Sequence, residues 1–568
     1  MHSYASTPMQ RSFFVFAAGV LLPVILIFAV IKLIGLHFED HFAMYKMIVY
    51  ETRDLTKNFH YMNDIMGWET AIGKMQHLFP SISWWSVFVT GSVAGSFILL
   101  HFIILKKSIA HGHPSVFTGF LLSLLWLFFF WNLFWVHHNR AAFFLAGSSL
   151  LCSTAYSEAE KNRSYYWKNQ LLFLVFAAGV FWRMEAGIVS FLLLLPMLAL
   201  RTSFNFKNFF RAYGAHTAFI IILLSVYFFK TYYHPDFYYA LEPETEYELS
   251  ARGNVVPLSA MKTPQDSMKY IAVTKNWMLG DIQTTTPGYI RSLISKPSDQ
   301  MHRYFFFLFP KSGTRTEINL SSFFVSNTLL LLNLLFLLCL FAFARVWRSA
   351  LLLSGYALFG IVLLLSSFTV EGMNRVIEPF IFLLVAAVIL VANERLQFKA
   401  HPAFSAGCLL LTLINLSALG KETLNARSLS NELCRNESDT RQKTDKYINT
   451  SGRSIVLPVM DFSVFNTGVF VPYNGFPGKK LLFFEYGQFS ASPHFLKTIA
   501  AATGCTETDF GCRLRYLNDH KENFIVIARP KVVDFMEQYA RKMYDIPLQL
   551  KRGSSVELNE ETTIWFPE

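Results

Sequence analysis

The run FLLSLLWLFFFWNLFWV, residues 120–136, offers no polar face at any regular period, and stretches like it recur along the chain. A helix needs about 20 apolar residues in a row to cross a hydrocarbon core ~30 Å thick. Such runs fall near 13–36, 84–105, 116–136, 140–155, 170–183, 186–200, 215–233, 322–344, 349–368, 376–393 and 402–420. They predict an α-helical polytopic membrane protein with about eleven spans. Composition agrees: of 568 residues, 53% are hydrophobic, 58 are Phe and only 16% are charged, against about 25% charged in soluble domains.

The formal net charge is +11, yet the basic residues punctuate the apolar runs instead of gathering in one segment. That distribution speaks against a nucleic-acid partner and for membrane topology. With the N-terminus inside, the inner loops hold Arg11, Lys106, Lys107, Lys161, Arg163, Lys168, Arg201, Lys207, Arg211, Arg345, Arg348, Arg395 and Lys399. The short outer loops hold Arg140, Arg183 and Arg375. This positive-inside bias puts every long polar segment outside: loops 37–83 and 234–321 of a membrane domain 1–421, and a second, extracytoplasmic domain 422–568. The first apolar run is too long for the core of a cleaved secretory signal and reads as a retained span.

Residues 422–568 read as a small α/β domain. SIVLPV (454–459), LLFFEY (481–486), FIVIARP (524–530) and TTIWF (562–566) are short β-rich runs, while VVDFMEQYARKMY (532–544) has helical spacing. The polar stretch 425–445 reads as the connection to the membrane part. Cys505 and Cys512 bracket a tight loop and suit a disulfide, with Cys434 left over. Cys152, Cys339 and Cys408 lie in or beside spans and read as packing residues.

Candidate chemistry sits in the outer loops. FEDHFAMYK (38–46) places Glu39 and Asp40 where the chain leaves the first span. A carboxylate there would serve as a general base on an acceptor hydroxyl, or bind a cation that neutralises a phosphate. A solvated pair marking the water boundary is the alternative. Asp64 is a second acid of the same loop, whose residues 61–75 have helical periodicity and lead to Trp84 and Trp85, an interfacial aromatic anchor. FWRMEAG (181–187) sets Arg183 and Glu185 between two apolar runs with almost no loop, where charge is costly and points to function or pairing. VEGMNRVIEPF (370–380) brings Glu371, Arg375 and Glu378, with Pro379 suited to a first helical turn. WVHHNRAAF (135–143) adds Arg140 with His137 and His138, whose adjacency does not suit a zinc pair at helical spacing. Arginines suit a phosphate because the planar guanidinium makes two charge-assisted hydrogen bonds.

The acidic pair after the first span, the late outer-loop NRVIEP motif with Arg375 and Pro379, and the C-terminal soluble domain resemble the GT-C superfamily of integral membrane glycosyltransferases. The resemblance implies a sugar donor carried on a polyprenyl phosphate, with Asp40 and Glu39 in the acidic site of the first outer loop. A narrower similarity is to uncharacterised bacterial multi-span proteins. They share an acidic pair with a later Pro and aromatic pair (FEDHFAMY, FPSISWW), an Arg-x-Glu motif (GVFWRMEAG), and a large outer loop with Arg252 and NWMLGD, from Trp277 to Asp281. Here the pair reads Glu-Asp where that group has Asp-Asp or Asp-Glu, which leaves open the identity of the base.

The resemblance implies attack by an acceptor hydroxyl on the anomeric carbon with inversion, polyprenyl phosphate leaving. Asp40 would take the proton, Arg183 and Arg375 would face the phosphate, Asp64 and Asp281 would be reserve acids, and Arg252 would hold the acceptor or close the large loop. The acceptor would be an envelope glycan, lipid or protein, and the setting a bacterial inner membrane. No cofactor is required, although a divalent cation would suit the phosphate. The rival classes are an envelope polysaccharide ligase or polymerase, whose main catalytic loop tends to come late in the chain, and a transporter of a lipid-linked substrate, which buries its charges near the bilayer midplane.

Overall fold

The computed structural model describes residues 8–38, 68–155, 163–201, 205–233, 256–275, 281, 286, 289, 292–293, 328–344, 374–396, 402–459, 469–470, 478–482, 493–557 and 563–567. The chain opens with one helical rod: α1 (Pro8–Phe16), a π-helical turn (Ala17–Leu21) and α2 (Leu22–Ile34). Pro23 lacks the N–H that would serve the Gly19 carbonyl four residues back, and a freed carbonyl in an apolar setting needs another donor. His101 supplies it from a neighbouring helix, with Nδ1 3.3 Å from the Gly19 oxygen. Gly35, at φ 76°, then ends the rod and lets His37–Phe38 (β1) turn away.

The helices that follow are α3 (Trp68–Leu78), α4 (Trp84–Ala110), α5 (Ser115–Phe134), α6 (His138–Ala155), α7 (Arg163–Trp182), α8 (Met184–Arg201) and α9 (Phe206–Tyr233). After them come α10 (Pro264–Thr274), α11 (Thr328–Phe343), α12 (Asn374–Arg395) and α13 (Pro402–Thr450). Among the described residues four helical stretches are long and apolar enough to cross a membrane: Ser12–Ile34, α4, α5 and α13. Ala186–Leu198, Ala212–Ser225 and Leu332–Phe343 are shorter apolar stretches. Of the expected spans, 349–368 lies outside the described residues. In α5, 61% of the apolar window is buried, against 17% in the first rod and in α13, so α5 is central and the other two are peripheral.

Two polar clusters tie the bundle at its opposite ends. At one end Ser108 Oγ donates to Asn393 Oδ1 at 2.7 Å, Asn393 Nδ2 donates to the Ile104 carbonyl at 3.0 Å, and Lys107 pairs with Glu394. His113, in the turn after α4, lies 2.7 Å from the Asn393 carbonyl through Nε2, and burial pushes its pKa below the ordinary imidazole value. The cluster at the other end is the candidate site. Between them, Asn333 and Asn415 exchange hydrogen bonds at 3.0 and 3.1 Å, and Asn415 also donates to Ser123 at 3.2 Å. Buried amide pairs of this kind hold apolar helices together where the surroundings give no hydrophobic drive. Small residues bring α6 and α7 into backbone contact: a Cβ at Gly179 would lie 2.6 Å from the Ala146 nitrogen.

Two expectations, on Trp85 and Cys339, are corrected, and the connecting stretch 425–445 is helical throughout: it lies inside the 49-residue α13. No Pro and no internal Gly after Gly420 interrupts it, and Gly452, at φ 66°, follows its end. Trp85 is not an interfacial anchor, since it is 1% exposed and packs edge-on against Trp182 with centroids 5.0 Å apart. Cys339 is exposed on α11, while Cys152 and Cys408 are buried as packing residues.

Beyond α13 a five-stranded sheet has the order β4 (Lys480–Leu481), β3 (Ile455–Pro458), β5 (Phe524–Ala528), β7 (Thr563–Pro567), β6 (Leu550–Glu557). β3 runs parallel to β4 and β5, and β7 antiparallel to β5 and β6. Central β5 is buried at every residue, which is why FIVIA shows no alternation. The sheet is flanked by α14 (Pro493–Thr503), α15 (Phe510–Asp519) and α16 (Pro530–Tyr544). Its faces follow the period of two: Phe524, Val526 and Ala528 pack with α15, α16 and Met268 and Ala272 of α10, whereas Ile525 and Ile527 share a cluster with Ile448 near the end of α13. The expected Cys505–Cys512 disulfide is formed, with Cα atoms 5.8 Å apart. Helix α10 of the large loop therefore contributes to the core of the C-terminal domain.

Candidate functional site

Four chain segments meet at the second end of the bundle: β1, the α5–α6 connection, the α7–α8 fold and the start of α12. The α5–α6 connection contains Trp135–Val136 (β2), which pairs in parallel with His37–Phe38, Phe38 opposite Val136. The chain thus passes Val136 just before it reaches Glu39 and Asp40, which lie outside the described residues. His37 is further fixed by Ser430 of α13, 2.8 Å from its Nε2, and by the rings of Phe134 and Trp135.

The start of α6 carries the polar side chains. His137 stands in the N-cap position, where its Nδ1 accepts the Asn139 N–H at 3.0 Å, a role usually given to Ser, Thr, Asp or Asn. Its ring stacks on His138 with centroids 4.3 Å apart. Arg140 is fully buried. Its guanidinium reaches Glu378 of α12 at 2.5 Å and Asn132 Oδ1 of α5 at 3.1 Å. The Glu378 side chain keeps 29% of its surface exposed. Arg140 is thus matched by a carboxylate, an arrangement that supports packing of α6 on α12 as much as ligand binding.

Arg183 is the single residue between α7 and α8. The chain folds back sharply there, because Phe176 and Phe191 on either side have centroids only 6.4 Å apart. Its Nη1 donates to Asn139 Oδ1 at 2.9 Å and faces His138 Nε2 at 3.2 Å. Since a guanidinium only donates, His138 must accept at Nε2 and carry its proton on Nδ1. The edge-on pair of Trp85 and Trp182 packs beside the fold and excludes solvent on that side.

Of the residues singled out from the sequence, Arg140 and Arg183 are brought together, both on the first turn of α6 and its partners. Glu185 and Arg375 lie in the first turns of α8 and α12, with side chains outside the described residues. Asp64, Arg252 and Trp277 also lie outside them. Asp281 belongs elsewhere: fully buried, it accepts hydrogen bonds from Tyr539 at 2.7 Å and Tyr544 at 2.5 Å. Burial, then the Asp281 charge, pushes the Tyr544 hydroxyl well above the usual tyrosine range. Asp281 thereby joins the large loop to α16.

Sequence reasoning passed over Asn132, Asn139 and the matching role of Glu378. A lone Asn inside the apolar run of α5 was the available signal, since an amide there must find a partner. Among the described residues no group of three His, Cys, Asp or Glu is placed to hold a metal ion. No protein family, curated protein or solved structure matches the chain.

Proposed function

We propose that this chain is an integral membrane glycosyltransferase of the kind its motifs resemble, moving a sugar from a polyprenyl phosphate to an envelope glycan, lipid or protein acceptor at the outer face of a bacterial inner membrane. The observation that carries the reading is the meeting, at one end of the bundle, of Arg183, the first turn of the Arg375 helix and the β1–β2 pairing that delivers the chain to Glu39 and Asp40. Phe38 pairs with Val136, two positions before His138, so the described chain stops beside the head of α6, two residues short of Asp40. Asp40 takes the acceptor proton as the hydroxyl attacks, and Arg183 and Arg375 stabilise the charge that grows on the departing phosphate. Glu39 is the alternate base.

The test is transfer from defined polyprenyl-phosphate sugars by purified protein in nanodiscs. Asp40→Asn lowers turnover at least ~100-fold, within the range general-base catalysis supplies, and Arg183→Gln weakens donor use. Full transfer by both variants, or none by the wild type with any donor, overturns the reading.

A further inference from the structure

The disulfide of the C-terminal domain lies against the two tyrosines that hold the large loop. We propose that Cys505–Cys512 is a redox latch: closed, it keeps the large loop docked on the C-terminal domain through Asp281, and its reduction by a dithiol, free or carried by a protein, loosens the loop while the domain stays folded. The latch works the same way whatever reaction the membrane part carries out.

The large loop brings two parts to the domain. Met268 and Ala272 of α10 join its core, and Asp281, fully buried, accepts hydrogen bonds from Tyr539 and Tyr544 of α16. Both tyrosine rings lie against the first turn of α15. The buried Phe510 ring stands 6.2 Å from each of them, centroid to centroid. Gly511 lets Tyr544 rest on the helix backbone, since a Cβ there would lie 2.5 Å from Tyr544 Cδ1. Cys512 is the next residue, so the path from the disulfide to Asp281 crosses one glycine and one tyrosine ring.

The disulfide is part of what fixes that turn. Helix α15 has 10 residues, fewer than the ~12–15 at which an isolated helix begins to hold. Asp509 accepts the Cys512 N–H at 2.7 Å, and Arg513 donates to the Glu507 carbonyl. These bonds fold the 505–512 loop back onto the turn, and the disulfide ties the turn to the chain leaving α14, which ends at Thr503. Opening the bond returns conformational freedom to the loop. The first turn then frays, Phe510 and Gly511 no longer hold the two rings in place, and the hydrogen bonds to Asp281 weaken. Loss of hydrogen bonds to a buried carboxylate favours the undocked loop.

The two sulfurs differ in access: Cys505 is buried, whereas Cys512 is half-buried and Thr506 and Thr508 in the same loop are exposed. A thiolate of the dithiol attacks Cys512 Sγ, the S–S bond breaks, and Cys505 leaves as a thiolate that takes up a proton. The second thiol of the reductant loses its proton and attacks its own partner sulfur in the mixed disulfide, which releases Cys512 to be protonated in turn. Two electrons and two protons pass from the dithiol, which becomes a disulfide, to the two cysteines.

Hydrogen exchange on the full chain in nanodiscs, oxidised and after dithiothreitol, compares α10 with β5. Reduction speeds exchange in α10 at least about tenfold, the scale of losing one charge-assisted hydrogen bond, while β5 stays protected over the same time. The double variant Cys505→Ser with Cys512→Ser shows the fast α10 rate without reductant and no further response to it, which separates the effect from Cys152, Cys339, Cys408 and Cys434. Asp281→Asn raises the α10 rate in the oxidised protein, and reduction then adds less than it does in wild type. An α10 rate unchanged by reduction and in the double variant overturns the latch. Loss of protection in α10 and β5 together overturns it too, because the bond would then staple the whole domain. Full additivity of reduction with Asp281→Asn overturns the route through Asp281.

Discussion

Arg140 and Glu378 share one ion pair but not one environment, and a double-mutant cycle should register the difference. Arg140 has no exposed surface, while the Glu378 side chain retains 29%. Glu378→Leu takes the carboxylate away from a guanidinium with no exposed surface, and breaking a buried pair from one side costs ~3–5 kcal/mol. Asn132 still accepts from it at 3.1 Å, which favours the lower end, ~3 kcal/mol. Arg140→Met leaves a carboxylate that can turn toward solvent, so the loss is ~1–2 kcal/mol. The double variant replaces the pair with apolar side chains of similar length and lies within ~1 kcal/mol of wild type, as such replacements often do. The cycle then returns a coupling of ~3–5 kcal/mol, the sum of the single losses less that of the double variant. Urea unfolding in mixed micelles, followed by tryptophan fluorescence, measures all four proteins. An Arg140→Met loss equal to or larger than the Glu378→Leu loss, or a coupling below ~0.5 kcal/mol, refutes the assignment of Arg140 as the desolvated partner.

Gly179→Ala should destabilise by ~1–3 kcal/mol, because its methyl group meets the Ala146 backbone at 2.6 Å; Gly91→Ala, with open space around it, should be neutral or gain up to ~1 kcal/mol, and equal effects in thermal melts would remove the close α6–α7 approach. Asp281→Asn loses charge-assisted bonds to two tyrosines, ~1.5–3 kcal/mol, and should speed limited proteolysis of loop 234–321; an unchanged cleavage rate would sever the loop from α16. The raised Tyr544 pKa makes its stabilisation complete below pH ~10 and lost above it, where the unfolded chain ionises first, so Tyr544→Phe should lessen the alkaline fall in stability. Cys505→Ser opens the loop closed by the disulfide, about 2.5 kcal/mol on the chain-entropy relation, and denaturant unfolding with and without reductant checks it, since a reductant-insensitive wild type would mean that the bond is not formed.

Legibility in the sequence varied with the kind of signal. Runs such as FLLSLLWLFFFWNLFWV state their helix plainly because length and apolarity alone decide it. FIVIA was readable as a short β-rich run and VVDFMEQYARKMY from its helical spacing, whereas LKRGSSVE of β6 carries no apolar alternation and gave no sign of being a strand. The 425–445 segment was legible as the polar connection between the two parts; that it is helical follows from the absence of any Gly or Pro between Gly420 and Gly452. At the site, the arginines announced themselves by sitting next to hydrocarbon. Their partners did not: Glu378 lies 238 positions from Arg140 and Asn139 44 from Arg183, and long-range pairing leaves no local periodicity to read.

An unbroken α13 behaves as a gauge bar. Ser430 is pinned to His37 at the level of the candidate site, and Ile448, on the same helix, seats one face of the sheet. Each residue between them adds about 1.5 Å of height and 100° of rotation. The azimuth of the C-terminal domain about the bundle is therefore encoded in a residue count: inserting one residue would swing the sheet by more than a quarter turn, while inserting seven, close to two full turns, would raise it by about 10 Å and leave its heading nearly unchanged. The number of residues in that interval is thus a structural parameter in its own right, independent of which residues they are.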